Sequence, residues 1–177
     1  MGGREAEMIR GHAAIGSPAG AEAKPARERL AELVAAGARA CPGFVAGVGP
    51  FPEASGSVQP AALGRDGRSE DHAILASLYL ALMSHTTLDL IGSRDCLLIE
   101  GPFAEDALFV GALARLRSGQ SVYVCEARHD LAYGALRLAM PELSPPSTLT
   151  RVEPLAVDLA AYADAWRREA EATRRVA

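Results

Sequence analysis

Apolar positions in this chain follow two periods, and the change between them is sharpest after residue 95. Cys96, Leu97, Leu98 and Ile99 form a continuous apolar run, long enough for a buried strand and too short for a helix. Glu100 and Gly101 end it, and Gly101-Pro102 punctuates the chain. From Ala104 onward the spacing is helical, with Leu108, Phe109, Ala112, Leu113 and Leu116 on one face. The pattern predicts a strand, a tight glycine turn and a helix N-terminus. Such a turn offers free backbone N–H groups and the positive end of a helix dipole at the C-terminal edge of a sheet. Ligands of α/β proteins often sit there, nucleotides among them. A plain strand–helix connection carries the same pattern, so the motif by itself does not decide the chemistry.

The same reading gives the other elements. Residues 1–23 are rich in Gly and Ala without a clear period, which predicts a loose tail. Pro25 opens a helix with Leu30, Leu33, Val34 and Ala38 at helical spacing, weakened by Gly37 and ended by Cys41-Pro42-Gly43. Phe44 to Gly67 reads as a long irregular connection, and its Phe44, Val45, Val48 and Phe51 predict an exposed apolar surface that a partner covers. A helix from Ser69 to Ile91 is apolar on nearly every side, so it belongs at the centre, with Gly92 as its C-terminal stop. Ser121 to Cys125 is a second short strand, and Leu131 to Met140 a further helix. Glu142 to Leu149 is a Pro/Ser/Thr loop. A last helix from about Asp158 turns Leu159, Tyr162, Ala163, Trp166 and Ala170 inward. Strands alternating with helices predict an α/β fold, a few-stranded sheet with parallel pairing, flanked by helices. Either weak strands are hidden near the N-terminus or the sheet is incomplete.

Composition narrows the classes. The chain has 177 residues, 49% of them hydrophobic, which is one domain with a sizeable core. A net charge of −4 with no basic patch argues against a nucleic-acid partner. The odd number of cysteines, Cys41, Cys96 and Cys125, without CxxC spacing reads as reduced, buried thiols and a cytoplasmic location. The apolar stretch Ala73 to Ile91 is broken by Ser77, Ser84, His85, Thr86, Thr87 and Asp89, which favours a buried helix over a membrane span. His12, His72, His85 and His129 show no metal-binding spacing. Cys125 and His129 lie close in sequence, but no third residue is placed to orient them as a nucleophile pair. Trp166 with Tyr162 reads as a packing anchor.

The run HAILASLYLALMSHTTLDLIGSRDCLLIEGPFAEDALFVGALARLR resembles the C-terminal domain of FGGY-type carbohydrate kinases, closest to the fuculokinase- and rhamnulokinase-like branch. MGGRE at the start and FVAGVGPFP at Phe44 to Pro52 resemble further segments of that domain, the second an interdomain-facing loop. The resemblance implies a partial actin-like, ribonuclease H-like ATPase domain over residues 1–177, truncated at its N-terminal end, and a family activity of ATP-dependent phosphorylation of a carbohydrate hydroxyl.

Carried over residue by residue, Glu100, Gly101, Pro102, Phe103 and Ala104 match the family's adenosine turn. Gly101 would let the backbone approach the nucleotide without a Cβ in the way. Asp106 stands where the family usually has Asn, whose amide donates to the adenosine moiety, whereas an ionised Asp only accepts. Gly134-Ala135 matches a glycine–alanine helix start on the nucleotide side. The implied cofactor is ATP with Mg²⁺. The family's two phosphate loops, its Asp general base and most of its sugar site belong to segments with no counterpart in this sequence. The chain alone is therefore expected to transfer no phosphate and to contain no catalytic residue. Its expected partners are a nucleotide, and a sugar only together with an N-terminal domain. That domain, if made separately, would be an N-terminal-half partner; self-association is the other expected form. A non-catalytic nucleotide-binding or interaction subunit is the alternative role.

Overall fold

The computed structural model describes residues 2–11, 23–61, 63, 69–125, 130–143 and 149–173. In chain order the elements are α1 (Gly2–Arg10), α2 (Ala23–Ala35), β1 (Arg39–Cys41), β2 (Ser57–Gln59), α3 (Ser69–Leu90), β3 (Leu97–Ile99), a 3₁₀ turn (Pro102–Glu105), α4 (Ala107–Leu116), β4 (Val122–Cys125), α5 (Asp130–Ala139), β5 (Leu149–Arg151) and α6 (Ala160–Thr173).

The near-uniform apolar character of α3 has the predicted consequence. Ile74, Leu75, Ala76, Leu78 and Tyr79 are at most 2% exposed, and α1, α2, α4 and β1 pack around the helix. By length and composition α3 is apolar enough to cross a membrane, yet half of that stretch, its N-terminal part, is buried against these neighbours. Arg29 of α2 grips the buried Asp71 carboxylate with two hydrogen bonds, Nε to Oδ1 at 2.7 Å and Nη2 to Oδ2 at 3.0 Å. This forked geometry fixes how α2 lies on α3.

Three strands join in the order β3-β4-β5. β3 and β4 are parallel, with Ile99 opposite Val124, and β5 runs antiparallel to β4. The parallel pair makes both turns after β3 and β4 leave from one edge of the sheet. The other two strands, β1 and β2, form a separate antiparallel ribbon.

Several sequence expectations change here. The helix read from Pro25 through Ala38 stops at Ala35, and Arg39–Cys41 is strand β1. Residues 2–10 are not a loose tail. They form α1, whose Glu5, Ala6, Ile9 and Arg10 are buried against the core. Alanine and glycine hide the helical period because their small side chains carry little hydropathy signal. Residues 12–22 lie outside the described residues. Strand β2 occupies a stretch read as a loop, and β5 begins at the last residue of another, since three residues are too few to show an alternation. Phe44 and Phe51 do not stand bare either. Phe51 is 6% exposed and meets Trp166 edge-to-face, and Phe44 meets Tyr79 in the same way. The loop folds back on the core because Trp166 and Tyr79 offer it aromatic faces.

The last helix carries Leu159, Tyr162, Ala163, Trp166 and Ala170 inward as predicted. Its two aromatic hydrogen-bond donors lock it to β1. Tyr162 donates its hydroxyl to the Ala38 carbonyl at 2.8 Å, and Trp166 donates Nε1–H to the Ala40 carbonyl at 2.7 Å. Burial pushes the Tyr162 hydroxyl pKa up, so it stays a donor.

Candidate functional site

The turn that follows β3 is built by three local constraints. Gly101 has φ 76° and ψ −166°, a conformation that L side chains rarely adopt. Pro102 then sets the first residue of the 3₁₀ turn, closed by a hydrogen bond from Ala104 N–H to the Gly101 carbonyl at 3.0 Å. Asp106 ends the turn and caps α4. One of its oxygens, Oδ1, accepts from the N–H groups of Leu108 at 3.1 Å and Phe109 at 3.0 Å.

The other oxygen, Oδ2, is also taken. It accepts from Ser77 Oγ at 2.7 Å and from Arg10 Nη2 at 3.1 Å. Arg10 and Asp106 side chains are 4% and 7% exposed. The carboxylate therefore ties α1, α3 and α4 together beneath the turn. It also satisfies the start of α4, so the free N–H groups expected there are engaged inside the protein. What remains open to solvent is the turn itself. Glu100, Gly101 and Pro102 are exposed, and Phe103 and Ala104 are half-buried. A Cβ built on Gly101 meets nothing within 4 Å, so space lies open over this backbone.

Phe103 anchors the turn from below. Its ring meets Phe109 edge-to-face at 6.0 Å, and a Cβ on Gly3 would come within 3.3 Å of it. The MGGRE and EGPFA segments, about a hundred residues apart in sequence, are thus neighbours. Gly134 lies in α5, which follows β4. The parallel β3–β4 pair sends that connection out of the same sheet edge as the Gly101 turn. Of the sequence-predicted residues, the fold gathers Glu100, Gly101, Pro102, Phe103, Ala104 and Asp106 on one turn, while Gly134 lies on a separate element, α5. Sequence reading missed Arg10 and Ser77, which hold Asp106. A basic residue on an Ala/Gly-rich stretch and a serine inside an apolar helix carried no signal of a shared partner.

One cavity opens beside the turn, and another lies away from it, at the far end of α4. One, of about 500 Å³, is largely apolar and runs beside β3, between Leu80 and Met83 of α3, Phe109 of α4 and the loop at Val48–Pro50, with Glu100 and Phe103 at one end. The other, of about 470 Å³, is polar and lies between the ends of α3 and α4 and the start of α6, with His85, Asp89, Arg115, Asp158 and Arg167 in its wall. Among the described residues no group of three or more His, Cys, Asp or Glu gathers as a metal cluster. His129 and His12 lie outside the described residues. Cys41 and Cys125 are buried as expected, whereas Cys96, just before β3, is exposed; burial pushes the Cys41 thiol up to about 11, so it is inert at neutral pH.

His85 makes one property of the second cavity measurable. Burial lowers its pKa below the ordinary 6.5, with Arg117 and Arg167 adding to the shift and Asp89 opposing it. A depressed pKa means that the folded state prefers the neutral ring. The contribution to stability is full above 6.5 and is lost as pH falls through the lowered value. Thermal melts are expected to fall from pH 7 toward pH 5, with a shallower slope in His85→Gln. Equal slopes in both proteins would remove His85 from the account.

Residues 1–147 match the family model for the C-terminal domain of carbohydrate kinase FGGY. The crystal structure of a carbohydrate kinase from Novosphingobium aromaticivorans superposes with a TM-score of 0.80 at 36% identity, over 96% of this chain. The match spans 36% of that kinase's own length. No curated protein matches. The architecture is accordingly that of the C-terminal domain of a kinase with the actin-like, ribonuclease H-like fold. The family-model match over residues 1–147 and the 36% identity over 96% of the chain make this chain a member of the FGGY carbohydrate kinase family, by its C-terminal domain.

Proposed function

We propose that this chain is the nucleotide-side domain of an ATP-dependent carbohydrate kinase, and that the adenosine end of the nucleotide lies over the Glu100–Ala104 turn. The observation that supports it is Gly101, held at φ 76° with open space above its backbone, on a turn braced from below by Asp106 and Phe103. The site fits a neutral adenosine moiety better than a phosphate. The N–H groups at the start of α4 already serve Asp106, and the exposed Glu100 adds negative charge beside the turn. Asp106 then acts as a positioning residue that keeps the turn in shape. Gly134 contributes the close approach of α5 from the neighbouring strand. ATP would supply the phosphoryl group, and Mg²⁺ would travel with its phosphates.

Phosphoryl transfer rests on positioning and on charge stabilisation around the moving group. The residues that would provide these, and the sugar site, come from polypeptide beyond the matched domain. The chain alone is expected to show no sugar-dependent ADP release with ATP, Mg²⁺ and a panel of pentoses, deoxyhexoses and polyols. Release well above a protein-free blank would contradict the proposal. Nucleotide affinity without phosphate contacts should be no better than about millimolar, roughly −4 kcal/mol. Gly101→Val puts a branched side chain where φ is positive, at about 1–3 kcal/mol of strain, and fills the space above the turn. Calorimetry should find binding lost in that variant while its melting curve stays cooperative.

A second reading, a non-catalytic subunit that completes a separately made half, is favoured by the open cavity along β3.

A further inference from the structure

We propose that the polar cavity between the C-terminal ends of α3 and α4 and the start of α6 binds a small phosphate-bearing anion through Arg115 and Arg167. The two residues come from different helices, the last turn of α4 and the middle of α6, and line one space of about 470 Å³. Both are half-buried. Among the described residues, every other arginine that is not exposed holds a carboxylate: Arg10, Arg29, Arg39 and Arg117. Arg115 and Arg167 hold none. A half-buried guanidinium has lost part of its water, and an anionic partner restores that loss.

The acids of the same wall do not serve as that partner. Asp89 binds Arg117, and Asp158 accepts the Ala160 N–H at 3.0 Å at the start of α6. Asp164 precedes Arg167 by three residues, a spacing at which helical ion pairs form, yet the two make none. Asp164 is exposed, so solvent screens its charge. The Arg167 charge is instead felt at the His85 ring, which lines the same cavity. Two unpaired guanidiniums repel a metal cation and match the oxygens of a phosphate group, which their planar forks bind in pairs. A phosphate group does not fill the space. Ser118, Asp158 and Asp164 line the remainder, where they can meet the hydroxyls of a phosphorylated carbohydrate. Asp158, Asp164 and Arg167 lie beyond residue 147, so this wall comes from outside the family match. The site is also apart from the Gly101 turn, since the ten residues of α4 place about 15 Å between its ends.

The test titrates the chain with inorganic phosphate and, separately, with a phosphorylated pentose, at constant ionic strength set by chloride. Amide NMR shifts, affinity and melting temperature are read. Both probes should move the amides of His85, Arg115 and Arg167, leave that of Gly101 in place, and raise the melting temperature. Arg115→Ala and Arg167→Ala should each weaken binding at least about tenfold, with Arg167→Lys in between because it keeps the charge and loses the fork. Neither guanidinium holds a carboxylate in the chain, so the variants should still melt cooperatively; if an alanine variant does not fold, Arg167→Lys and the wild-type shifts decide. A phosphorylated pentose bound at least about threefold more tightly than phosphate identifies a phosphorylated carbohydrate as the occupant, because the wall then reads its hydroxyls. Equal affinities identify the phosphate ion, and the site stands in either case. Binding unchanged in both alanine variants, shifts centred on other elements, a dicarboxylate bound in place of phosphate, or no response beyond that to chloride would each overturn it. Adenosine carries no phosphate, so its shifts at the Gly101 turn, or their absence, bear on the proposed function alone.

Discussion

Asp106→Ala is expected to lower the unfolding free energy by about 3–5 kcal/mol, among the largest effects of any single substitution here. Removing the carboxylate leaves Arg10 charged and buried. Its Nε and Nη1 atoms already lack hydrogen-bond partners among the described residues, so no other group takes over. The loss of the α4 cap adds about 1 kcal/mol. Asp106→Asn keeps an acceptor for the cap but not the charge opposite Arg10, so it should fall between wild type and Asp106→Ala. Pairing Arg10→Met with Asp106→Asn should recover part of the loss, because the uncompensated charge disappears. Urea unfolding of the four proteins measures this. A change below about 1 kcal/mol in Asp106→Ala would show that the carboxylate does not brace the turn. The same series separates structure from binding, since Asp106→Asn supplies an amide donor in place of a carboxylate that only accepts.

The second large effect belongs to α6. Trp166→Ala should cost about 3–5 kcal/mol. Trp166 is 1% exposed, meets Phe51 and Tyr79 edge-to-face, and donates to the Ala40 carbonyl. Removing the indole leaves a cavity at the meeting point of α6, β1 and the Phe51 loop, and strands a buried carbonyl. The helix lies beyond residues 1–147, the stretch the family model matches, yet it closes the core. Trp166→Phe should retain much of the packing and lose the hydrogen bond, for about half the cost. A near-neutral Trp166→Ala would mean that α6 is peripheral.

The elements with strong periods were legible from sequence. α3, α4 and α6 declared their buried faces through large apolar residues at helical spacing. The β3 run and the Gly101-Pro102 turn followed from a change of period and from punctuation. What could not be read was set by long-range partners. α1 is held by Ala6, Ile9 and the Arg10–Asp106 pair, and none of these has a local signature. β1 and β2 meet across sixteen or more residues of chain, and each is too short to alternate visibly. The turn itself was recognisable from EGPFA. The role of Asp106 was not, because it depends on Arg10 from 96 residues earlier and on Ser77 of α3. A residue type at a motif position names the chemistry available; the fold decides which partners use it.

The account turns on whether the Gly101 turn seats the adenosine end of a nucleotide, and amide NMR shifts measure that directly. Titrating the chain with adenosine, and separately with ATP and Mg²⁺, is predicted to move the amides of Gly101, Phe103 and Ala104 together, to a similar extent with either ligand and with about millimolar affinity. Gly101→Val should abolish those shifts and leave the rest of the spectrum in place. Shifts centred elsewhere on the domain, or shifts at the turn that persist in Gly101→Val, would contradict the account.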